Sequence, residues 1–347
     1  MLVLKDITDP VYKEQQFTSA DKFFLRFIRD ERDLPFIYLT LKITFTILPL
    51  GFLLYMPFIH GIWWAVIAIA FHYFNNFAFK GPFGLMLHCT SHRIFFKKEY
   101  NYLNYYLPWI IAPFFGHSPD TYYTHHVGMH HAENNLEDDK STTMPYQRDS
   151  LRGFLHYFIS FLVVGIYNLA TYHFKKHRTR LMYKTIRGEI LFIVGSVGLS
   201  LINWQATLVV FIIPYFLYRL IAFLGNWAQH AFVCAKEPGN SYRNSVTCIN
   251  TNYNHKCWND GYHISHHIKP AMHWTEHPTF FKKTVEEYAT NDAIVFDGIH
   301  FLHIFIYLMQ KRYDLLAAHF VNLGNRYSSD EEVIVLLKSR TKRIEFK

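Results

Sequence analysis

Thr124–His131 reads Thr-His-His-Val-Gly-Met-His-His, so four of its eight residues are imidazoles. Two further clusters resemble it, His88-Cys-Thr-Ser-His92 and His263-Ile-Ser-His266-His267. Positions i and i+4 of a helix share a face, one turn apart. His88 with His92, His126 with His130, and His263 with His266 and His267 are therefore expected to project in sets. Imidazole is borderline in softness and suits iron, zinc, copper or nickel. Even with His125 set aside, the eight remaining histidines of the three clusters exceed what one tetrahedral or octahedral centre takes, which implies two metals. His230 offers a ninth ligand. Asn226, four residues before it, shares its helix face, and an amide there could hold a water on one metal.

Around these clusters the chain is apolar. Of 347 residues half are hydrophobic, 18% are aromatic and only 18% carry a formal charge, against about a quarter in a soluble chain. Long apolar stretches alternate with strongly polar ones, as in a polytopic membrane protein. The net charge of +8 fits basic residues gathered at the cytoplasmic ends of membrane helices. No basic patch matches a nucleic-acid motif, so nucleic acid is not expected as a partner. Cys89, Cys234, Cys248 and Cys257 form no C-x-x-C pair, which reads as reduced thiols of a cytosolic compartment. The first 36 residues are too charged and polar for a signal peptide.

Taken in order, residues 1–35 read as a cytosolic arm. Ser19 is expected to cap a short amphipathic helix that Asp33-Leu-Pro35 stops. Residues 37–56 and 62–79 have the length and apolarity of two spans, joined by the uncharged turn Pro57-Phe-Ile-His-Gly61, with Lys80-Gly-Pro82 closing the second. Residues 100–116, rich in Tyr, Trp and Pro, are too broken to cross and suit the interface, and 133–150 are aqueous. Residues 151–174 are apolar enough to cross, yet crossing would turn the basic loop Lys175–Arg187 outward. They read as an interfacial or re-entrant helix. A second hairpin occupies 189–204 and 206–225, again with an uncharged turn. The expected fold is all-α and integral to the membrane, one domain over 1–347. Four spans form two hairpins, and a cytosolic histidine-rich cap with interfacial helices is built from 80–188 and 226–347. Both termini and all three clusters then face the cytosol. Ser329-Asp-Glu-Glu332 carries a capping-box signature for a C-terminal surface helix.

H-x3-H, H-x3-H-H and H-x2-H-H, in that order and divided by hydrophobic hairpins, resemble the membrane fatty-acid desaturase and hydroxylase superfamily over roughly residues 36–280. Asn226-x-x-x-His230 is similar to the extra ligand site of the acyl-CoA desaturase branch. The resemblance implies a non-haem di-iron centre that activates O₂. His88, His92, His126, His130, His131, His230, His263, His266 and His267 would be its ligands, with Asn226 acting through a water. It also implies a lipid or fatty-acyl substrate, and electrons from a separate carrier such as cytochrome b5 or ferredoxin. Helical spacing at about 100° per residue together with the family pattern leaves His125 outside the ligand set.

Two other readings stand beside the desaturase. One is a hydroxylase or ketolase of the same superfamily acting on a carotenoid, sterol-like lipid or alkane. The other is a zinc-dependent hydrolase, which H-E-x-x-H would favour and this chain lacks, or a non-catalytic metal transporter or store, which would bury polar groups along its spans, nearly featureless here apart from His72. Arg219 reads either as a partner for an acyl carboxylate or headgroup or as a snorkelling cation. Trp258, Asn259, Asp260 and Tyr262 before the third cluster, and Asp120, Asp138 and Asp139 near the second, are candidates to orient ligands by hydrogen bonds. His72, His117, His273 and His277 lie outside the metal set.

Overall fold

The computed structural model describes residues 1–346 and is mostly helical. Among the described residues four helices are long and apolar enough to cross a membrane: α1 (Glu31–Leu53), α2 (Gly61–His92), α3 (Leu151–Lys175) and α4 (Thr179–Gln229). The chain divides into two compact units. One comprises residues 13–127 and 173–220, and the other residues 1–12, 128–172 and the chain from 221 onward.

In the first unit, α1 opens with a 3-10 turn at Asp30, whose carboxylate accepts the Arg32 N–H, and Pro35 falls in the first turn of the α-helical part that begins at Leu34, where no intrahelical N–H is required. One face buries Ile43 and Ile47 while Phe45 and Phe52 stand open. On α2, Ile62, Trp63, Ile69, Tyr73 and Phe77 are exposed, Phe77 by 83%. On α4, Ile190, Val194, Val197 and Leu201 are exposed, Leu201 by 86%. Apolar surface this continuous is not tolerated in water and belongs against lipid.

Lys80-Gly-Pro82 does not close the second apolar stretch, because α2 continues to His92. A π-helical segment, Tyr73–Phe79, precedes a fresh α-segment that begins at Lys80. Pro82 thus falls in a first turn, where its missing N–H costs nothing. The long α4 is interrupted at Asn203, whose φ of −154° and ψ of 99° are extended. Asn203 Oδ1 accepts the Ala206 N–H at 3.0 Å and so caps the second limb. This break and the 54–61 turn meet: the Leu54 carbonyl accepts from Trp64 Nε1 at 3.0 Å and from Asn203 Nδ2 at 3.5 Å, and Tyr55 and Thr207 hydroxyls pair at 2.8 Å. Residues 98–115 form short 3-10 and π segments, too broken to cross, as their prolines suggest. The 151–174 stretch is instead one unbroken helix, so length and continuity do not separate α3 from a span, and a re-entrant break is absent.

The N-terminal helix is Ser19–Phe24, capped by Thr18 in a box with Asp21 rather than by Ser19. It ends at Leu25, well before Asp33. Thr18 wins because its hydroxyl reaches the Asp21 N–H while the Asp21 carboxylate returns to the Thr18 N–H.

The second unit contains a two-stranded parallel sheet, β1 (Val246–Ile249) and β2 (Ile294–Asp297), with Val246 opposite Ile294. Its fully buried core includes Cys248, Phe296, Phe232 and Leu316. Residues 1–12 are no free arm. Leu2 bridges Val321 in parallel, and Leu4 and Ile7 pack on the cluster around Ile249, Tyr262 and Phe281. The C-terminal helix Asp330–Arg340 starts at Ser329, which accepts the Glu332 N–H as its spacing indicates. All four cysteines are free.

Gly188 on α4 meets the Pro119 carbonyl so closely that a Cβ would lie 1.7 Å from its oxygen. Gly188→Ala must push away the loop that leads into the second histidine cluster, at a cost of about 1–3 kcal/mol. Thermal unfolding in detergent should show this loss, whereas Gly195→Ala, whose Cβ meets nothing within 4 Å, should leave the transition in place.

Candidate metal centre

In the second unit four rings converge. His130, His230, His263 and His267 each offer a nitrogen, and these four atoms lie within 4.8 Å of one another. His263 and His267 are one turn apart on the helix His263–Ile268 (α5). Their Nε2 atoms stand 3.0 Å apart, and His263 Nε2 is 3.2 Å from His230 Nε2. His266, three residues from His263, points off that axis, and its Nε2 lies 2.8 Å from His131 Nε2. The third cluster therefore splits instead of projecting as one set.

What these rings can bind follows from their outer nitrogens. The Asn244 carbonyl can only accept, and it sits 2.8 Å from His230 Nδ1. His230 Nδ1 must carry the proton. Burial and then the neighbouring His130 lower the His230 pKa to about 3, so the ring is neutral and its Nε2 holds a lone pair. His130 Nδ1 lies 2.7 Å from the buried Asp139 carboxylate, which likewise draws the proton outward. His267 is also held neutral, mainly by burial and then by His263. Lone pairs pointing at one another at these distances repel unless a cation lies among them. A structural metal-binding histidine ordinarily donates its other nitrogen to a carboxylate or carbonyl in this way.

The surroundings fix this arrangement. Asp139 also accepts from the Ser141 N–H (2.8 Å), the Ser141 hydroxyl (2.6 Å) and the Asn135 N–H (3.2 Å). The Thr143 hydroxyl donates to the His230 carbonyl at 2.8 Å. Arg148, fully buried, donates to the carbonyls of Ala231, Met144, Arg340 and Lys342. Burial lowers its pKa only to about 9, so it stays charged at neutral pH. The Asn226 amide nitrogen donates to the Ser141 carbonyl (3.0 Å) and the Tyr157 hydroxyl (2.7 Å), leaving Oδ1 as its acceptor for a water.

The first unit gathers His88, His92 and His126. The His126 ring lies 4.5 Å from His88 and 5.1 Å from His92, centroid to centroid, and Tyr122 stacks on it at 5.2 Å. The stretch His126–His130 is a π-helical turn between α-helical ends. The α-helical face argument for His126 and His130 therefore fails locally, and such a turn is common at functional sites. Within their own units His126 meets the first cluster and His130 meets His230 and His267. His125 is half-buried and stands outside the candidate donor groups. A cavity of about 320 Å³ lies beside the first cluster, walled by Leu87, Thr90, Ser91, Leu107, Ala112 and Tyr122.

Of the expected orienting residues, Asp139 contacts a candidate ligand directly. Asp260 accepts from Tyr253 (2.7 Å) and Gln229 (3.3 Å), and Asn259 donates to the carbonyls of Pro10 and Trp274. Trp258 packs on Trp274, and Tyr262 bonds Asp9. Asp120 pairs with Arg187 at 2.6 Å, and Asp138 is exposed. Neither expectation for Arg219 holds. It is buried, paired with Glu189 at 3.0 Å, bonded to the Gly116 carbonyl and laid over the Tyr215 ring at 3.3 Å. An apolar setting demands such a partner, and Glu189 supplies it thirty residues away. His277 supports α5 through the Ser265 hydroxyl at 2.7 Å, whereas His72 pairs with Asn76 and His273 with Thr275. Arg148, Asn244 and Asp9 carry no local signal, since each acts through contacts remote in sequence.

Replacing Asp139 by Asn should weaken metal retention roughly 10- to 100-fold, read by chelator competition. His130→Ala should abolish both metal uptake and activity, and His125→Ala should leave both largely intact. Equal losses at 125 and 130 would contradict the ligand assignment.

A family model described as fatty acid desaturase matches residues 62–298, from α2 through β2, and so takes in every histidine discussed above. No curated protein and no solved structure matches the chain. With an all-histidine donor set, an apolar helical body and a match over well more than half its length, the chain belongs to the fatty acid desaturase family.

Proposed function

We propose that the protein is an integral membrane, O₂-dependent fatty-acyl desaturase that holds two non-haem irons. Electrons come from a separate carrier such as cytochrome b5 or ferredoxin. The observation that carries this reading is the convergence of His130, His230, His263 and His267 with their lone pairs turned inward. We assign nine ligands to the two metals: these four with His88, His92, His126, His131 and His266, and a water held by Asn226. Imidazole-only ligation suits iron, zinc or copper. Membership of an oxidoreductase family favours iron. When bound, a di-iron centre supplies activation of O₂ for removing hydrogen from an unactivated C–H bond.

The chain's own residues do the rest. Asp139 and the Asn244 carbonyl keep two ligands in the metal-binding tautomer. Leu87, Leu107, Ala112 and Tyr122 give an apolar wall to a space beside His88 that suits an alkyl chain. Two hydrogens leave the substrate, and two electrons from the carrier with two protons from solvent complete the reduction of O₂ to two waters.

For topology we propose four spans in two hairpins, with both termini and the histidines cytosolic. Contacts between the 54–61 turn and Asn203 support placing both uncharged turns on one side. The α3 helix lies along the interface. Near its start Tyr157 bonds Asn226, and near its end His173 lies 3.1 Å from the Thr124 carbonyl, so both ends are tied to histidine-bearing elements.

Product analysis by mass spectrometry, after expression in a lipid-defined host with a carrier present, tests this. An acyl chain lighter by two hydrogens is expected. A chain heavier by one oxygen would move the protein to a hydroxylase, and unchanged lipid beside iron-loaded protein would contradict the reading.

A further inference from the structure

Among the buried carboxylates of the second unit, Asp9 reaches toward the third histidine cluster. Its side chain is buried with three donors and, among the described residues, no cation. The Asn250 N–H donates at 2.8 Å, the Thr251 N–H at 3.3 Å and the Tyr262 hydroxyl at 2.6 Å. Burying a carboxylate is costly without full hydrogen bonding, so the three donors hold Asp9 in place as firmly as it holds them. Two of them belong to the turn after β1, where Asn250 adopts a left-handed φ of 53°. The third belongs to the residue at which α5 begins.

Tyr262 is the hinge of the argument. Its ring is fully buried and packs on Phe281 at 6.0 Å. Its hydroxyl donates to the Asp9 carboxylate, which can only accept. Its carbonyl accepts the His266 N–H at 3.1 Å and the Ser265 hydroxyl at 2.9 Å, so it caps the first turn of α5. Three candidate ligands follow it within five residues. α5 has only six residues, too few to be stable alone, so the direction of His263, His266 and His267 depends on what anchors Tyr262.

We propose that Asp9 is a positioning residue for the metal centre: through Tyr262 it sets the angle at which α5 delivers the third histidine cluster. The first twelve residues are then a working part of the site. They are secured on either side of Asp9, where Thr8 N–H donates to Asn250 Oδ1 at 2.8 Å and the Pro10 carbonyl accepts from Asn259 at 2.7 Å. The proposal rests on the metal reading given above and adds a residue that contacts no ligand.

The test uses the full chain in detergent, loaded with cobalt(II) or iron(II), with chelator competition for affinity and the cobalt visible bands for ligand geometry. Tyr262→Phe removes one hydroxyl and keeps the ring, and Asp9→Asn removes the charge and keeps the shape. Each should weaken metal retention about tenfold and shift the cobalt bands, with helix content unchanged. Thr290→Val, which loses an exposed hydroxyl bonded only within its own helix, should behave as wild type. Wild-type affinity and unshifted bands in both Tyr262→Phe and Asp9→Asn would overturn the proposal alone. If Asp9→Asn fails to fold, Tyr262→Phe decides by the same criterion. A wild-type chain that takes up neither metal would overturn the metal reading and this proposal with it.

Discussion

His130 and His230 give up their outer ring nitrogens to groups that hold the proton there, Asp139 and the Asn244 carbonyl. Their inner nitrogens are then bare lone pairs, packed with those of His263 and His267 in a buried space. Such an arrangement is unstable by itself and becomes favourable only around a cation. Much of the second unit can be understood as the scaffold that maintains it. Ser141 and Asn135 hold Asp139, Thr143 holds the His230 carbonyl, and Arg148 ties the 143–146 turn to Ala231 and to the C-terminal residues. Metal affinity and fold stability are therefore linked, because ligand binding to the native state alone stabilises it.

An all-imidazole site has a further consequence. Neutral ligands would leave the charge of a bound divalent ion uncompensated, and buried carboxylates nearby would lower that electrostatic cost. Asp139 does so in contact with a ligand, and Asp9 lies one residue further out. The first unit meets a different demand, presenting lipid with continuous apolar faces on α1, α2 and α4 while keeping a cavity beside His88. Its deeply buried ion pair Arg219–Glu189 is saturated by Gly116, Ser118 and Tyr215. It serves to tie α4 to the 116–118 loop and offers no unpaired charge to a substrate.

The histidine spacing and the apolar runs were legible because both are local: a ligand pair one turn apart, or twenty apolar residues, can be read from consecutive letters. The family follows from them. What could not be read was long-range or conformational. Asp9 and Tyr262 are separated by 253 positions, and Arg148 reaches carbonyls nearly two hundred residues away. The π-turn at His126–His130 follows no pattern in residue type, and it undoes an argument built on α-helical geometry. Lys80-Gly-Pro82 looked like a terminator because proline usually is one; a π-segment just before it made the same residues a beginning. Arg219 was ambiguous for the same reason as Asp9, since its partner lies on a distant stretch of chain.

The central claim is that the histidines hold iron, and metal analysis of the purified protein with X-ray absorption at the metal edge tests it most directly. The account predicts about two irons per chain, with a first shell of nitrogen and oxygen only and no sulfur. About one zinc per chain and no iron, after expression with iron supplied, would contradict it.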